Sequence, residues 1–395
     1  METLGLYIQV PFCASKCSFC NFSSQVARAE VYDLYCNSLA QEIESLPEIY
    51  ASAGVAPAMF EKTVDSIYIG GGTPSLVGGE RLDKVLAQLH RLFQFGPSVE
   101  FTLEVTPRSA DQDFLECART LGINRLSIGA QSFDDRELRS VGRLHSADDT
   151  RALVQSARNA GFENISLDLM AGLPHQTAAS WNSSLQSAIA QRPEHVSTYL
   201  FEIDEKSRLG GEVLRHGTRY HASAIPDEDF MADAYDLARE QLRQAGHIQY
   251  EISNFAVSGC ESVHNRKYWQ LKPYLGLGAG AHSFDGELRW ENATVVEEYE
   301  RRLAQRESPI CEQRRLTSEA QLEEFFFLGL RQLDGIHLAE ARRRWGSEPV
   351  ERVTQTIESL ESDGWLENHN GRVRLAEKAL LVSNEVFQEF IGVCS

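Results

Sequence analysis

The sequence lacks any uninterrupted apolar run approaching the roughly 18 residues that a membrane-spanning helix requires. No signal peptide is visible either, because the strand-like alternation over Leu4–Val10 leads almost directly into a cysteine. Internal repeats and low-complexity tracts are also missing. We therefore expect a cytoplasmic protein with no membrane span, which leaves peripheral contact with a membrane surface open.

Basic residues are scarce as well. The chain has 38 Lys and Arg residues against 57 Asp and Glu residues, which gives a formal net charge of −19 at pH 7. Binding to nucleic acid needs a basic surface that meets the phosphate backbone. The composition therefore predicts that nucleic acid is not a partner.

The eight cysteines are unevenly placed. Cys13, Cys17 and Cys20 lie together near the N-terminus, and the others are scattered at Cys36, Cys117, Cys260, Cys311 and Cys394. This distribution fits a reducing compartment and a metal site better than a disulfide framework. We expect each scattered cysteine to be a small buried hydrophobe or an idle surface thiol.

Short β-branched segments alternate with longer amphipathic segments from the N-terminus to about residue 205. The repeated order of strand then helix predicts an α/β fold of parallel strands joined by helical crossovers. Six such units are too few for a closed eight-stranded barrel, and the pattern fits both an open (β/α)6 barrel and a doubly wound sheet. The predicted strands are Gly5–Val10, Asp65–Gly70, Glu100–Val105, Asn124–Ile128, Asn164–Met170 and Val196–Phe201.

The rest of the chain has a different pattern. From about residue 210 to 285 it is irregular apart from one predicted helix, Asp229–Ala245. The elements predicted after residue 300 are helices Ser318–Arg331, Leu338–Trp345 and Val350–Ser362, strands Gly364–Glu367 and Arg372–Leu375, and a last helix from Glu377. Helices followed by a small β-wing resemble a winged-helix module. We therefore divide the chain into a core (residues 1–210), an extension (211–300) and a C-terminal, mainly helical domain (301–395).

The segment Val10–Phe22 carries the three clustered cysteines in the spacing Cys-x3-Cys-x2-Cys, directly after the first predicted strand. Three thiolates on one short loop can hold three irons of a [4Fe–4S] cluster, which leaves the fourth iron without a protein ligand. S-adenosylmethionine (SAM) can chelate that iron through its amino and carboxylate groups, and an electron from the reduced cluster can cleave its sulfonium. A structural zinc site would need a fourth Cys or His at fixed spacing, and none follows nearby.

This segment resembles the signature of the radical SAM superfamily, and nearly the whole chain resembles the HemN/HemW group within it. The resemblance implies a partial (β/α)6 radical SAM barrel with a C-terminal, mainly helical, winged-helix-like domain, and a [4Fe–4S] cluster on Cys13, Cys17 and Cys20. The segments that carry the resemblance are Leu6–Cys13, Tyr68–Ser75, Leu103–Pro107, Asn124–Phe133, Gly142–His145 and Asp168–Pro174.

Several of these segments place polar residues at the carboxyl ends of predicted strands, where α/β folds bind their ligands. By resemblance, the glycine-rich stretch contacts the methionine part of SAM, polar side chains contact its amine, ribose and carboxylate, and two aromatic residues pack beside the cluster and the adenine. The implied SAM contacts are Tyr7, Phe19, Gly71, Gly72, Thr73, Glu104, Gln131, Arg143 and Asp168.

Enzymes of the HemN type, which oxidatively decarboxylate coproporphyrinogen III, carry a fourth cysteine where this chain has Phe22, and a longer arm than the twelve residues that precede Cys13. The segment His264–Trp269 also matches the HNxxYW motif that is associated with haem binding in HemW-type proteins. An imidazole can ligate haem iron, and aromatic residues can cover a porphyrin face. His264 is therefore the expected haem ligand, with His282 and then Cys260 as weaker candidates.

The resemblance thus implies a haem chaperone of the HemW type, which binds the cluster, SAM and haem and transfers haem to an acceptor protein. An electron donor such as flavodoxin or ferredoxin is a further implied partner, and coproporphyrinogen oxidase activity is not expected. The alternative is a radical SAM enzyme, an oxygen-independent coproporphyrinogen III dehydrogenase of porphyrin biosynthesis.

The cysteine spacing makes a testable prediction about metal content. Anaerobic reconstitution should load about four irons and four sulfides per chain, with a cluster spectrum that SAM perturbs. Cys17→Ala should abolish iron loading because it removes one of three ligands, whereas Cys117→Ala should leave it unchanged. Metal analysis and absorption spectroscopy measure the result, and a fully stable protein that holds only zinc would contradict the assignment.

Overall fold

The computed structural model describes residues 3–394 and is built around one large sheet. Its centre consists of six parallel strands, β1 (Leu4–Val10), β2 (Val64–Gly71), β3 (Phe95–Val105), β4 (Arg125–Gln131), β5 (Asn164–Ala171) and β6 (His195–Leu200). Helices α1 (Ala29–Ala51), α2 (Gly79–Leu92), α3 (Gln112–Thr120), α4 (Asp135–Ser140), α5 (Ala147–Asn159) and α6 (Ala178–Ala190) connect them. The six predicted strand–helix units are confirmed.

The order of the strands decides between the two architectures that the sequence leaves open. Strands β1 to β6 lie side by side in chain order, each parallel to the next. A doubly wound sheet would reverse direction part-way, whereas right-handed crossovers that all step the same way put their helices on one face. The arrangement is that of a partial (β/α)6 barrel, and its core lies between these strands and the helices outside them.

The sequence prediction misses six short strands that extend the sheet at both edges. After α7 (Arg208–Leu214) and α8 (Glu228–Gln244), β7 (Ile248–Gln249) and β8 (Asn254–Ala256) join beyond β6, with β8 antiparallel to it. After α9 (Val263–Trp269), β9 (Tyr274–Leu277) pairs parallel to β1 at the other edge. Beyond β9 the sheet continues with β10 (His282–Phe284), β11 (Leu288–Asn292) and β12 (Ile310–Arg315). Helix α10 (Val296–Ala304) connects β11 to β12. Strands of two to six residues show too little alternation to be recognised from sequence.

The C-terminal helices and the two-stranded wing are close to where the sequence predicts them, but strand Ile336–His337 is not predicted, and the last α-helix begins at Ser383 rather than at Glu377. The helices are α11 (Ser318–Gly329), α12 (Leu338–Trp345), α13 (Ser347–Ser362) and α14 (Ser383–Gln388), with β13 (Ile336–His337), β14 (Leu366–His369) and β15 (Arg372–Leu375) in a separate three-stranded sheet. These elements share a second hydrophobic core. Edge strand β12 of the large sheet lies beyond residue 300, and the division of the chain at that residue stays a prediction.

Within residues 3–394, no helix has both the length and the apolar character that crossing a membrane would require.

A buried carboxyl group joins the extended edge of the sheet to the first helix. Glu42 in α1 is fully buried, and its oxygens accept hydrogen bonds from Tyr50 Oη (2.5 Å), Tyr299 Oη (2.6 Å), Asn292 Nδ2 (2.8 Å) and the Gly278 amide (2.8 Å). Burial raises the pKa of Glu42, and the four donors oppose that rise. One side chain therefore satisfies donors from α1, α10, β11 and the turn after β9.

Removing this acceptor should destabilise the protein. Glu42→Ala leaves buried donors without a partner, and each such group costs about 1–3 kcal/mol, so we expect a loss of several kcal/mol in the free energy of unfolding. Glu44→Ala is the matched control, because Glu44 is exposed on the same helix and should change stability by no more than about 0.5 kcal/mol. Urea denaturation of both variants measures the difference, and equal stability would show that the Glu42 contacts contribute little.

Candidate functional site

A cavity of about 870 Å³ opens at the carboxyl ends of strands β2 to β6. The loop that carries the three clustered cysteines forms one side, and the ends of these strands form its floor. The C-terminal domain also contributes to the lining, through Arg331, Leu380, Leu381, Ser383 and Asn384. The strand ends therefore meet at one site, as expected for parallel strands.

Cys13, Cys17 and Cys20 all line this cavity as partly exposed, free thiols. Two hydrogen-bond donors face their sulfurs: Thr73 Oγ1 lies 3.9 Å from Cys13 Sγ, and Arg143 Nη1 lies 3.6 Å from Cys17 Sγ. Burial raises the pKa of Cys20, and a main-chain hydrogen bond from Phe22 partly opposes this. The loop thus presents three sulfurs to one cavity beside a fixed guanidinium charge.

This donor set fits a [4Fe–4S] cluster better than a single metal ion. Across residues 3–394, no three His, Cys, Asp or Glu side chains converge on one ion position. A cubane cluster does not need such convergence, because each thiolate binds a different iron. Hydrogen bonds to the sulfurs are also among the features that tune iron–sulfur clusters, and Thr73 and Arg143 can provide them.

The glycine-rich turn after β2 packs against the cysteine loop itself. The Gly72 amide donates to Val10 O (2.9 Å), and the Thr73 amide donates to Phe12 O (2.6 Å). A Cβ at Gly72 would collide with the Phe12 main chain, and Gly71 has a φ of 108° that favours glycine. The sequence predicts that glycines here let the main chain approach a ligand. At Gly72 the main chain instead approaches the loop that carries the cysteines.

Glu104 stands at the end of β3 and faces the cavity. It accepts hydrogen bonds from Tyr68 Oη (2.9 Å) and from the Gly71 amide (3.1 Å). Burial raises the pKa of Glu104 to about 7, with the Tyr68 hydrogen bond opposing and the charge of Asp168 adding to the rise. Without a ligand, this carboxyl group can therefore gain or lose a proton near neutral pH, and a bound cation would favour its ionised form.

Asp168, Gln131 and Arg143 also line the cavity. Burial raises the pKa of Asp168, whose Oδ2 lies 3.2 Å from Ser127 Oγ. Gln131 Oε1 and Arg143 Nε are buried and have no hydrogen-bond partner among residues 3–394. Buried polar atoms are nearly always paired, so these two atoms point to a missing polar ligand.

The structure separates the two predicted aromatic contacts. Phe19 lines the cavity, on the cysteine loop. Among residues 3–394, Tyr7 does not line the cavity. Its hydroxyl donates to Gln9 Oε1 (2.7 Å), and its ring stacks on that of Tyr68 with the centroids 6.0 Å apart. Tyr7 can therefore support the site through Tyr68, which lies in the same segment as the glycines and which the sequence prediction overlooks.

His264 does not line this cavity, but its ring lies 5.5 Å from that of Tyr68, which does. The His264 side chain is fully buried, with Nδ1 3.1 Å from Ser66 Oγ and Nε2 2.9 Å from Tyr268 Oη. Burial lowers the pKa of His264 to about 3, and the neighbouring charge of Lys267 adds to this. A role as haem ligand stays a prediction, and it requires release of one ring nitrogen. Of the other two candidates, His282 is 67% exposed on β10, and Cys260 is partly buried.

Comparison with known proteins agrees with this architecture. Residues 7–188 match the Radical SAM superfamily, and residues 316–382 match the HemN C-terminal domain. In its fold, the chain is similar to coproporphyrinogen III oxidase (HemN) from Escherichia coli, with a TM-score of 0.84 over 99% of this chain and 90% of that one, at 23% identity. The fold and the site thus define a radical SAM protein with a HemN-type C-terminal domain.

Relatives that match most of the chain narrow this class. The chain is 34% identical to the heme chaperone HemW of Bacillus subtilis over 387 residues, 98% of each protein. It is 31% identical to the heme chaperone HemW of Escherichia coli over 283 residues, 71% of this chain and 70% of that one. The chain belongs to the HemW family of radical SAM proteins.

The raised pKa of Glu104 predicts a pH-dependent stability difference. Unfolded Glu104 ionises near its ordinary value of 4.5, whereas the folded group ionises near 7. Its contribution to stability is therefore complete below pH 4.5 and is lost as the pH rises through 7. Relative to the wild type, cofactor-free Glu104→Gln should gain roughly 1–3 kcal/mol of stability between pH 5 and pH 8.

Urea denaturation across this pH range measures that difference. Glu116→Gln is the control, since Glu116 is an exposed side chain on α3 and the substitution should show no comparable trend. A pH-independent difference between wild type and Glu104→Gln would mean that Glu104 is ionised throughout.

Proposed function

We propose that this chain is a haem chaperone of the HemW type, which holds a [4Fe–4S] cluster, SAM and haem and transfers haem to an acceptor protein. The observation that carries the proposal is the 34% identity to a heme chaperone HemW over 98% of both chains. The site adds support, because all three cysteines of the cluster motif line one cavity.

Cys13, Cys17 and Cys20 would hold the cluster, and the other polar lining residues would hold SAM. When bound, this pair supplies one-electron chemistry at the SAM sulfonium. Glu104 would accept hydrogen bonds from the SAM amine, and Asp168 would bind the ribose hydroxyls. Gln131 and Arg143 would use their unpartnered atoms on the remaining polar groups. Gly71, Gly72 and Thr73 would form the methionine side, with Phe19 and Tyr7 packing beside the cofactors.

We propose the cytoplasm as the site of action, because all eight cysteines are free and the cluster requires reduced thiols. Partners would be a haem-acceptor protein and an electron donor such as flavodoxin or ferredoxin. In this proposal His264 ligates haem iron after its Nε2 leaves the Tyr268 hydroxyl.

The purified protein should bind about one haem per chain and show a Soret band. His264→Ala should weaken or shift that band, since an axial ligand sets the electronic environment of the iron. Tyr268→Phe is the matched variant: it frees His264 Nε2 and leaves the imidazole in place. If His264 ligates iron, Tyr268→Phe should retain the band or strengthen it. If both variants lose the Soret band equally, and circular dichroism shows reduced helical content, His264 has a structural role.

The same preparation separates the chaperone from the alternative enzyme. With coproporphyrinogen III, SAM and a reductant, no protoporphyrinogen should form, because Phe22 stands where HemN-type enzymes carry their fourth cysteine. Turnover of coproporphyrinogen III would overturn the chaperone proposal and favour an oxygen-independent coproporphyrinogen III dehydrogenase.

A further inference from the structure

The C-terminal domain presents one charged side chain to the cavity. Of its residues that line the cavity in the described part of the chain, Leu380 and Leu381 are apolar, Ser383 and Asn384 are neutral, and only Arg331 is charged. This side of the cavity therefore combines an apolar surface with a single cation.

The guanidinium of Arg331 is held in place by a ring contact and a long ion pair, and it makes no hydrogen bond to residues 3–394. It lies over the ring of Trp269, 4.5 Å from the ring centroid. Its nearest carboxylate is that of buried Glu251, with Nη2 and Oε2 4.0 Å apart, which is too long for a hydrogen bond. Arg331 Nε and Glu251 Oε2 are both buried and have no hydrogen-bond partner within residues 3–394.

Main-chain contacts fix the position of this side chain relative to the barrel. The Ile252 amide donates to Arg331 O (3.2 Å), and the Leu333 amide donates to Tyr250 O (3.1 Å). Trp269 belongs to helix α9, which packs against α11. The last residue of the HNxxYW segment therefore holds a cation from the C-terminal domain at the edge of the cavity.

We propose that Arg331 binds a carboxylate of the ligand that occupies this part of the cavity, and that this ligand is a tetrapyrrole whose propionate groups extend from an apolar macrocycle. The inference rests on the proposed function for the identity of the ligand. A guanidinium that makes no hydrogen bond to residues 3–394 can offer its donors to a carboxylate, whose geometry they match. Leu380, Leu381 and Ile252 offer an apolar surface to the macrocycle beside it.

Esterification of the ligand tests the contact without touching the iron. Full-length protein with a reconstituted cluster is titrated with haem and with its dimethyl ester, and the Soret change gives both affinities. Wild type should bind haem about 10- to 100-fold more tightly than the ester, as expected for loss of a charge-assisted hydrogen bond. Arg331→Met should bind haem about as weakly as the ester, with ester affinity unchanged, and Arg331→Lys should restore part of the difference.

Arg344→Met is the matched control. Arg344 lies over the ring of Trp345, 4.3 Å from its centroid, in the same domain but outside the cavity lining. It should keep the full preference for haem over the ester. SAM affinity should be unchanged in Arg331→Met, and a loss there would move the contact to the carboxylate of SAM and overturn the proposal.

The outcomes distinguish this inference from the proposed function. Wild type that binds neither haem nor its ester would overturn both. Wild type that binds the two ligands equally, or an Arg331→Met variant that keeps the preference for haem, would overturn the role of Arg331 alone. If Arg331→Met fails to fold, Arg331→Lys tests the proposal. This variant must prefer haem over the ester less strongly than wild type does, and an unchanged preference would overturn the role of Arg331.

Discussion

Two main-chain hydrogen bonds fix the cysteine loop onto the sheet, and the geometry of the site depends on them. Gly72 and Thr73 donate to Val10 and Phe12, so the loop after β1 is seated on the turn after β2. A side chain at Gly72 would separate these two segments. Since neighbouring parallel strands end at the same edge, this contact holds the three thiols above the same strand ends that carry the polar lining residues.

The sequence predicts best those features for which the local pattern of residues and the overall fold require the same structure. The six parallel units could be predicted because short strand-like segments alternate along the chain with longer amphipathic helices. The Cys-x3-Cys-x2-Cys spacing likewise located the cysteine loop, since short spacing forces the thiols to be neighbours. Glu104, Gln131 and Asp168 could be placed at one edge because parallel strands align their carboxyl ends.

Other features of the site could not be predicted from the sequence because they depend on contacts between residues far apart in the chain. The role of Gly72 in seating the cysteine loop depends on Phe12, 60 residues earlier in the chain, and an isolated glycine-rich turn equally suggests a ligand. The burial of His264 depends on Ser66 in β2 and on the neighbouring Tyr268. A histidine beside aromatic residues has the same local pattern whether its nitrogens face a ligand or are satisfied by hydroxyl groups. Periodicity carries no information about which of these holds.

The cavity is completed by two parts of the chain that have separate hydrophobic cores. The barrel supplies the thiols and the carboxyl groups, whereas the C-terminal domain supplies leucines and one guanidinium. Trp269 contacts Arg331 from the barrel side, and the backbones of Tyr250–Ile252 and Arg331–Leu333 are hydrogen-bonded across the junction. A ligand that spans the cavity would contact both cores, so its binding would stabilise their packing against each other. Conversely, a change at the junction would alter ligand affinity without touching the cysteines. The HNxxYW segment lies at this junction, and it can therefore influence a ligand through domain packing and not only through the proposed ligation by His264.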